Sequence, residues 1–381
     1  MPYGRQWVDD DDVAAVTAAL RSDRLTQGPC VEEFEDALAQ RCGAAQAVAV
    51  CNGTAALHLA CLAAGIGPGD EVVTSPLTFA ASANCALYAG AEARFADVRP
   101  DTGCMDAADL ASRVTERTRA VVPVHYAGHP CDTDRIAEVA RRAGAVVIED
   151  ACHALGAEHL GRSVGSCEHA DMTVFSFHPV KHVTTGEGGA VLTNDDALAE
   201  RLRTLRHHGI VADPARQRFR GEEDGGWYYE VGELGHNFRI TDLQCALGTS
   251  QLRKLDAWVA RRREIKAAYD EAFAGLPGVD VPAETPGAIS SWHLYPLRVP
   301  AERRRAVYDG LHARGILVQV HYVPVHLMPV YRDRYGHGPG DFPAAEAYYA
   351  REISLPMFPA LTDAQVARVV DAVTEMVGGA R

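Results

Sequence analysis

Three short stretches carry residue types that could act together on one ligand. The first, Val174 to Ala190, reads VFSFHPVKHVTTGEGGA and holds a single lysine, Lys181. An apolar run, Met172 to Phe177, leads into it and Pro179 stops the run, so Lys181 falls on an irregular segment just past a strand. Open α/β sheets keep their ligand sites at that edge. A lone lysine is ordinarily a solvated surface residue, but two distant stretches change its meaning. Ala143 to His153, AGAVVIEDACH, is a β-run that delivers Glu149 and Asp150 to its own C-terminal end. Val48 to Gly65, VAVCNGTAALHLACLAAG, breaks at Asn52-Gly53 and begins an Ala/Leu-rich helix at about Thr54. The free N–H groups of that helix start form a seat for an anion. An anion seat, an acid at one strand end and an amine at another are the fixtures of a pyridoxal phosphate (PLP) enzyme. They hold the phosphate, keep the pyridine nitrogen protonated and form the Schiff base.

The elements that must position these groups follow from periodicity. Seven apolar runs, at 47–51, 71–75, 93–98, 119–126, 145–150, 172–177 and 190–194, alternate with helical or loop segments. This rhythm predicts an α/β fold with a largely parallel, doubly wound sheet buried on both faces. Phe79, just after the second run, falls near the same sheet edge as either core or a stacking surface for a flat ring. Asp9 to Asp12 open a first helix, and a polar loop over 22–29 separates it from a helix at Val31 to Cys42. Residues 212–234 break the rhythm with charges, Gly225-Gly226 and the aromatics Trp227, Tyr228 and Tyr229, as a lid or subunit-contact segment would. Between 235 and 273, apolar residues including Leu243, Leu247, Leu252, Leu255 and Val259 recur at helical steps and predict one long amphipathic helix bridging two domains. Beyond it come a strand at Trp292 to Val299, a helix at Ala301 to Arg314, a strand at Ile316 to Tyr322 and a capping box at Thr362 to Gln365. The reading is a large domain over 1–249 and a smaller α+β domain over 250–381.

Bulk properties narrow the function classes. Length alone favours two domains, since the 381 residues exceed what one core sustains. A formal charge of −14 argues against nucleic acid or anionic lipid as partners, because both need basic surface. The ten cysteines include no C-x-x-C pair and read as reduced core residues rather than a disulfide frame or metal site. The acidic, polar N-terminus lacks an apolar signal core, and no run approaches the ~20 apolar residues of a membrane span, so a cytoplasmic protein is expected.

With these stretches in view, the chain resembles the DegT-type nucleotide-sugar aminotransferases of the fold type I PLP class. The resemblance spans nearly the whole length and rests on NGTAALHLA (52–60), TFAASAN (78–84), EDACHALGAE (149–158), FSFHPVKHVTTGEGGAVLTND (175–195) and GHNFRITDLQCALGTSQL (235–252). Within the family it is most similar to the transaminases of the pseudaminic acid pathway, through PYGRQ (2–6), DRLTQGP (23–29), WHLYPL (292–297) and ILVQVHYVPV (316–325).

The resemblance implies a Schiff base on Lys181 and a pairing of Asp150 with the pyridine nitrogen. His153 would lie against the ring, Gly53, Thr54 and Ser176 on the phosphate, and Phe79 stacked on the cofactor. Asn237 would reach the phosphate in a neighbouring subunit, which implies a homodimer. Tyr3, Asp23, Arg24, Leu25, Thr26, Gln319, Val320, His321 and Tyr322 match positions lining a sugar-nucleotide site, and His178 is a further candidate there. Asp242 stands where many relatives carry Glu. The implied reaction transfers the amino group of L-glutamate to the 4-keto carbon of a UDP-linked 6-deoxy-N-acetylhexosamine, with pyridoxamine phosphate formed between half-reactions. TDP- or GDP-linked keto sugars are alternatives. Lys181 argues against the family's dehydratases, which carry His there. The acidic N-terminus leaves no DNA-reading module for a PLP-binding regulator, and Gly186-Glu187-Gly188-Gly189 lacks the spacing of a dinucleotide fingerprint.

Overall fold

A computed structural model of the chain describes residues 1–378. Its centre is a seven-stranded sheet of β1 (Gln46–Val50), β2 (Glu71–Thr74), β3 (Glu92–Phe95), β4 (Thr118–Val122), β5 (Val146–Asp150), β6 (Met172–Ser176) and β7 (Gly189–Thr193), in the order β1-β7-β6-β5-β4-β2-β3. β7 runs antiparallel to β1 and β6, and the remaining neighbours are parallel. β4 ends at Val122, and past Pro123, which has no N–H to donate, the run over 119–126 keeps one further bridge, from Val124 to Asp150.

The unbroken apolar character of these strands has a direct cause. Val48 and Val50 enter one buried cluster while Ala47 and Ala49 enter another; Met172 and Val174 enter the first, Phe175 and Phe177 the second. Successive side chains point to opposite faces, so β1 and β6 each feed two cores and have no face for water. Helices α1 (Asp10–Leu20), α2 (Pro29–Cys42), α3 (Gly53–Ala63), α4 (Ala81–Tyr88), α5 (Ala107–Arg113), α6 (Thr133–Ala143) and α7 (Asp196–Arg206) flank or follow the strands.

The long bridging helix is two. α8 (Asp242–Leu252) ends at Arg253, and α9 (Leu255–Phe273) begins after Lys254, without Gly or Pro at the break. The interruption turns the Lys254 ammonium onto Asp9 and the fully buried Asp12 of the α1 capping box, while Leu252 and Leu255 both stay in the second core. α9 then leaves that core. Leu255, Trp258 and Val259 pack in the second cluster, whereas Ile265, Tyr269 and Phe273 pack in a third built from residues 265–377. That third cluster contains the antiparallel pair Tyr295–Arg298 and Glu352–Leu355, α10 (Ala301–Ala313) and the C-terminal helix from Asp363. Thr362 and Gln365 cap this last helix reciprocally, as the sequence predicts.

The strand expected at Ile316 to Tyr322 does not form. Its backbone groups find partners singly: Leu317 N–H donates to Met1 O, Gln319 exchanges both bonds with Ser354, and His321 N–H donates to the Glu352 carboxylate. Three separate sources cannot make a ladder. The 212–234 segment is an arm whose base pairs Ile210–Val211 with Glu230–Val231, and Phe219 (83% exposed) and Trp227 (79%) stand in solvent on it.

Asp242 is fully buried, and its carboxylate accepts the N–H groups of Gly28 (2.9 Å) and Cys30 (3.1 Å), tying the 22–29 loop and the start of α2 to α8. Asp242→Asn replaces one acceptor oxygen by a donor facing an N–H. The variant should lose about 1–3 kcal/mol, read as a lowered urea midpoint at fixed protein concentration. An unchanged midpoint would remove this carboxylate from the account of the loop.

Candidate active site

The anion seat is built where β1 gives way to α3. Asn52 is extended, and its Oδ1 accepts the Ala55 N–H at 2.8 Å, which leaves the Gly53 and Thr54 amides without acceptors among the described residues. The seat is closely packed against neighbouring chain. A Cβ at Gly189 would lie 2.6 Å from the Asn52 carbonyl carbon, and one at Gly53 would lie 2.9 Å from Ser176 Cβ. Glycine at both positions lets β7 and the end of β6 bring the Ser176 hydroxyl beside the helix start.

Asp150 ends β5 as a buried carboxylate. Its Oδ2 accepts from Ser82 Oγ at 2.5 Å, Ser82 is in turn 2.7 Å from Thr78 Oγ1, and Oδ1 accepts the Cys152 N–H at 3.2 Å. Lys181 sits in the turn after β6, its N–H donating to His178 O at 2.9 Å. Burial lowers its ammonium pKa below the ordinary lysine value. His153 is held neutral by burial and by the Lys181 charge, and its Nε2 lies 3.1 Å from Tyr322 Oη. His293 packs against the His153 ring at 4.3 Å. Arg262, fully buried, fixes that neighbour by donating to the carbonyls of Trp292, His293 and Met357.

The anion seat, Asp150, Lys181, His153 and Tyr322 open onto one cavity of about 940 Å³. Of the residues singled out by sequence, Tyr3, Gly53, Thr54, Phe79, Asp150, His153, Ser176, His178, Lys181, His321 and Tyr322 line it. Phe79 is 60% exposed with its ring 6.3 Å from that of Tyr322, so it is a wall of the cavity and not core. Seven others do not border it. Asp23, Arg24, Leu25 and Thr26 lie exposed on the loop between α1 and α2, held there by the Thr26–Thr241 bridge. Asn237 bridges to His207, and Phe238 rather than Asn237 reaches the cavity. Gln319 is tied through its backbone to Ser354 and is exposed, and Val320 is half-buried outside the cavity lining.

Sequence reasoning missed Thr78, Ser82, His58, Tyr88, Cys152 and Glu187. A signal existed for His58, four residues beyond Thr54 on the same helix face, and for Ser82, in the first turn of the helix after Phe79. Away from the cavity, Asp132, Asp134 and His159 bring ligand-type atoms within 4.8 Å of one another, a grouping their spacing did not suggest.

Comparison with known proteins decides the family. The model of the DegT/DnrJ/EryC1/StrS aminotransferase family matches residues 6–374. The chain belongs to this family. It is 42% identical over 385 residues to the spore coat polysaccharide biosynthesis protein SpsC of Bacillus subtilis, covering 100% of this chain and 98% of that one. Among solved structures it is similar to Helicobacter pylori PseC, an aminotransferase of pseudaminic acid biosynthesis (33% identity, TM-score 0.91, 99% of each chain). It is also similar to DesV of S. venezuelae in complex with a ketimine intermediate (37%, TM-score 0.88, 99% of each chain).

DegT-family aminotransferases use PLP, and the cavity has the features to take it. Two unpartnered amides and a hydroxyl meet at a helix N-terminus for a phosphate, and a buried carboxylate is available for a ring nitrogen. The Nδ1 of His153 is buried with no partner in the protein. Such an atom calls for a polar ligand beside it.

If Ser82 positions Asp150, Ser82→Ala should lower kcat about tenfold, with a smaller change in affinity for the amino donor. Stopped-flow measurement of the donor half-reaction would show this, and equal rates in both proteins would show that the hydroxyl is structural only.

Proposed function

We propose that this sugar aminotransferase transfers the amino group of L-glutamate to the 4-keto carbon of a UDP-linked 4-keto-6-deoxy-N-acetylhexosamine. The products would be a 4-amino-4,6-dideoxy sugar nucleotide and 2-oxoglutarate. One observation carries the reading: Lys181, Asp150 and the start of α3, distant in sequence, line a single cavity. The likeness to PseC at 33% identity supports the sugar class, as do the WHLYPL and QVHY segments that supply His293, His321 and Tyr322 to the cavity and its wall.

PLP, when bound, supplies an electron sink for the carbanion formed at the reacting carbon. The chain's own groups do the rest. Asp150 would face the ring nitrogen, and the Ser82 hydroxyl and Cys152 amide each bond one of its oxygens and so aim the carboxylate. Lys181 Nζ removes the α-proton of the amino donor and returns it. A lysine in water has a pKa near ~10.4; burial makes the neutral amine accessible at lower pH. The Gly53 and Thr54 amides and Ser176 would hold the phosphate, and Phe79, in the cavity wall, would supply a surface for the ring. Tyr3, His178, His321 and Tyr322 orient the sugar.

The active form we propose is a homodimer. Asn237, the Asp23–Thr26 loop and the arm with Phe219 and Trp227 lie outside this chain's own cavity, and exposed aromatics at an arm's tip suit burial against a second copy. Gln319 and Val320 also lie outside this chain's own cavity. The acidic balance argues against nucleic acid partners, and among the described residues no helix is long and apolar enough to cross a membrane. A cytoplasmic location fits the reduced cysteines. TDP- or GDP-linked keto sugars form the second reading, kept open because the identity to SpsC and DesV is higher than that to PseC.

L-Glutamate should bleach the visible absorption of the holoenzyme, and mass spectrometry should find the amino sugar with a UDP-4-keto substrate in preference to TDP analogues. Lys181→Ala should lose turnover by at least about 10³-fold. A spectrum insensitive to every amino donor would overturn the aminotransferase assignment for this cavity, and preference for a TDP sugar would move it to the second reading. The rate at which the apoprotein takes up PLP should rise with pH through a midpoint below that of an exposed lysine, the direction required by burial of Lys181.

A further inference from the structure

Behind the cavity wall lies a chain of hydrogen bonds ending on a buried acid. His321 Nδ1 is 2.8 Å from Ser354 Oγ, and Ser354 Oγ is 2.5 Å from Glu352 Oε1. The other carboxyl oxygen accepts the His321 N–H at 2.7 Å, and Tyr126 Oη donates to the His321 carbonyl at 2.6 Å. His321 is thus clamped through its backbone on both sides. Its Nε2 has no partner among the described residues, and its ring lines the cavity 5.0 Å from that of Tyr3.

We propose that Glu352 and Ser354 form a proton wire that decides which nitrogen of His321 carries its hydrogen, so that His321 donates into the cavity while Glu352 is protonated and accepts once it is ionised. The inference rests on the cavity being where the sugar and amino donor react. Glu352 and Ser354 are positioning residues, acting only through His321.

The two states follow from the donor inventory. With Glu352 protonated, Oε1–H donates to Ser354 Oγ, Ser354 O–H donates to Nδ1, and the ring hydrogen must sit on Nε2. With Glu352 ionised, Ser354 donates to Oε1, Nδ1–H donates to Ser354, and Nε2 offers a lone pair. Transfer of the Nε2 proton to an oxygen in the cavity draws the Ser354 proton to Nδ1 and the Glu352 proton to Ser354. The acceptor gains one proton, Glu352 loses one, and the ring stays neutral.

The surroundings permit both states near neutral pH. Burial raises Glu352 to about 8, opposed by the bonds from Ser354 and His321 and by the charge of Arg304 on α10. Burial and the Lys181 charge push His321 down to about 3, so the ring is not itself the titrating group. Arg298, opposite Glu352 in the strand pair, spends its guanidinium on the carbonyls of Pro100 and Asp101 and over the Tyr348 ring. Arg304 donates to Tyr349 O, and Tyr126, Tyr322 and Tyr348 present neutral phenols. No cation lies within 4.0 Å of Glu352 among the described residues to hold it ionised.

The test is ¹⁵N NMR of histidine-labelled holoenzyme from about pH 6.5 to about 9.5, with the His321 signals assigned through His321→Gln. The wild type should pass from the Nε2–H to the Nδ1–H tautomer with a midpoint near 8. Glu352→Gln places an amide that donates to Ser354 and cannot ionise, so it should lock the Nε2–H tautomer at every pH and remove the matching limb from the kcat profile. Ser354→Ala should uncouple the tautomer from pH. A single tautomer throughout in the wild type, or an unchanged switch in Glu352→Gln or Ser354→Ala, would overturn the wire. The NMR readout needs no turnover, so failure of the aminotransferase reading would show separately, as a holoenzyme spectrum that glutamate leaves unchanged.

Discussion

A carboxylate at the end of a strand buried on both faces must find its partners inside the protein, and the site depends on how Asp150 does so. Ser82 Oγ and the Cys152 amide each meet one of its oxygens, and Thr78 steadies Ser82 from behind. Without them its oxygens would be buried with no hydrogen-bond partner, which is costly. With them it stays an acceptor facing the cavity. The position of α4 is therefore as much a part of the chemistry as β5, because α4 carries Ser82 to that oxygen.

The same demand shapes the cavity wall. Lys181, His153, His293 and His321 are crowded together with no carboxylate to pair each imidazole, and burial together with mutual repulsion keeps the three rings uncharged. Neutral imidazoles can donate from one nitrogen and accept at the other, and the bonds from Tyr322 and Ser354 fix how. Arg262 reinforces the wall by spending its buried guanidinium on three carbonyls of the segments behind it. It ties α9, which runs from the second core into the third, to the residues that press on His153.

Helix breaks and lost strands followed from partners that the local pattern does not contain. The periodicity over 235–273 is continuous, but Lys254 has Asp9 and Asp12 to satisfy, some 240 residues away, and the helix yields there. Ile316 to Tyr322 has the composition of a strand, yet its N–H groups are claimed by Met1, Ser354 and the Glu352 side chain. Phe79 was ambiguous between core and surface because one aromatic after a strand reads the same in either place. Only the approach of Tyr322 from the far end of the chain made it a wall.

By itself the sequence determined the alternation of strands and helices, the seven runs of the sheet, the acidic start of the first helix and the cap of the last, the anion seat after β1, and the acid and amine at two strand ends. Each depends on residues within about a dozen positions of one another, where steric preference and hydrogen-bond capacity act locally. The tertiary structure decided which of these ends face a common space and which second residues hold them. It also decided which matched positions, such as Asp23 to Thr26, Asn237 and Gln319, lie outside the chain's own cavity. Those outcomes depend on strand order and on packing between distant segments, and no spacing along a single chain encodes a contact between side chains hundreds of residues apart.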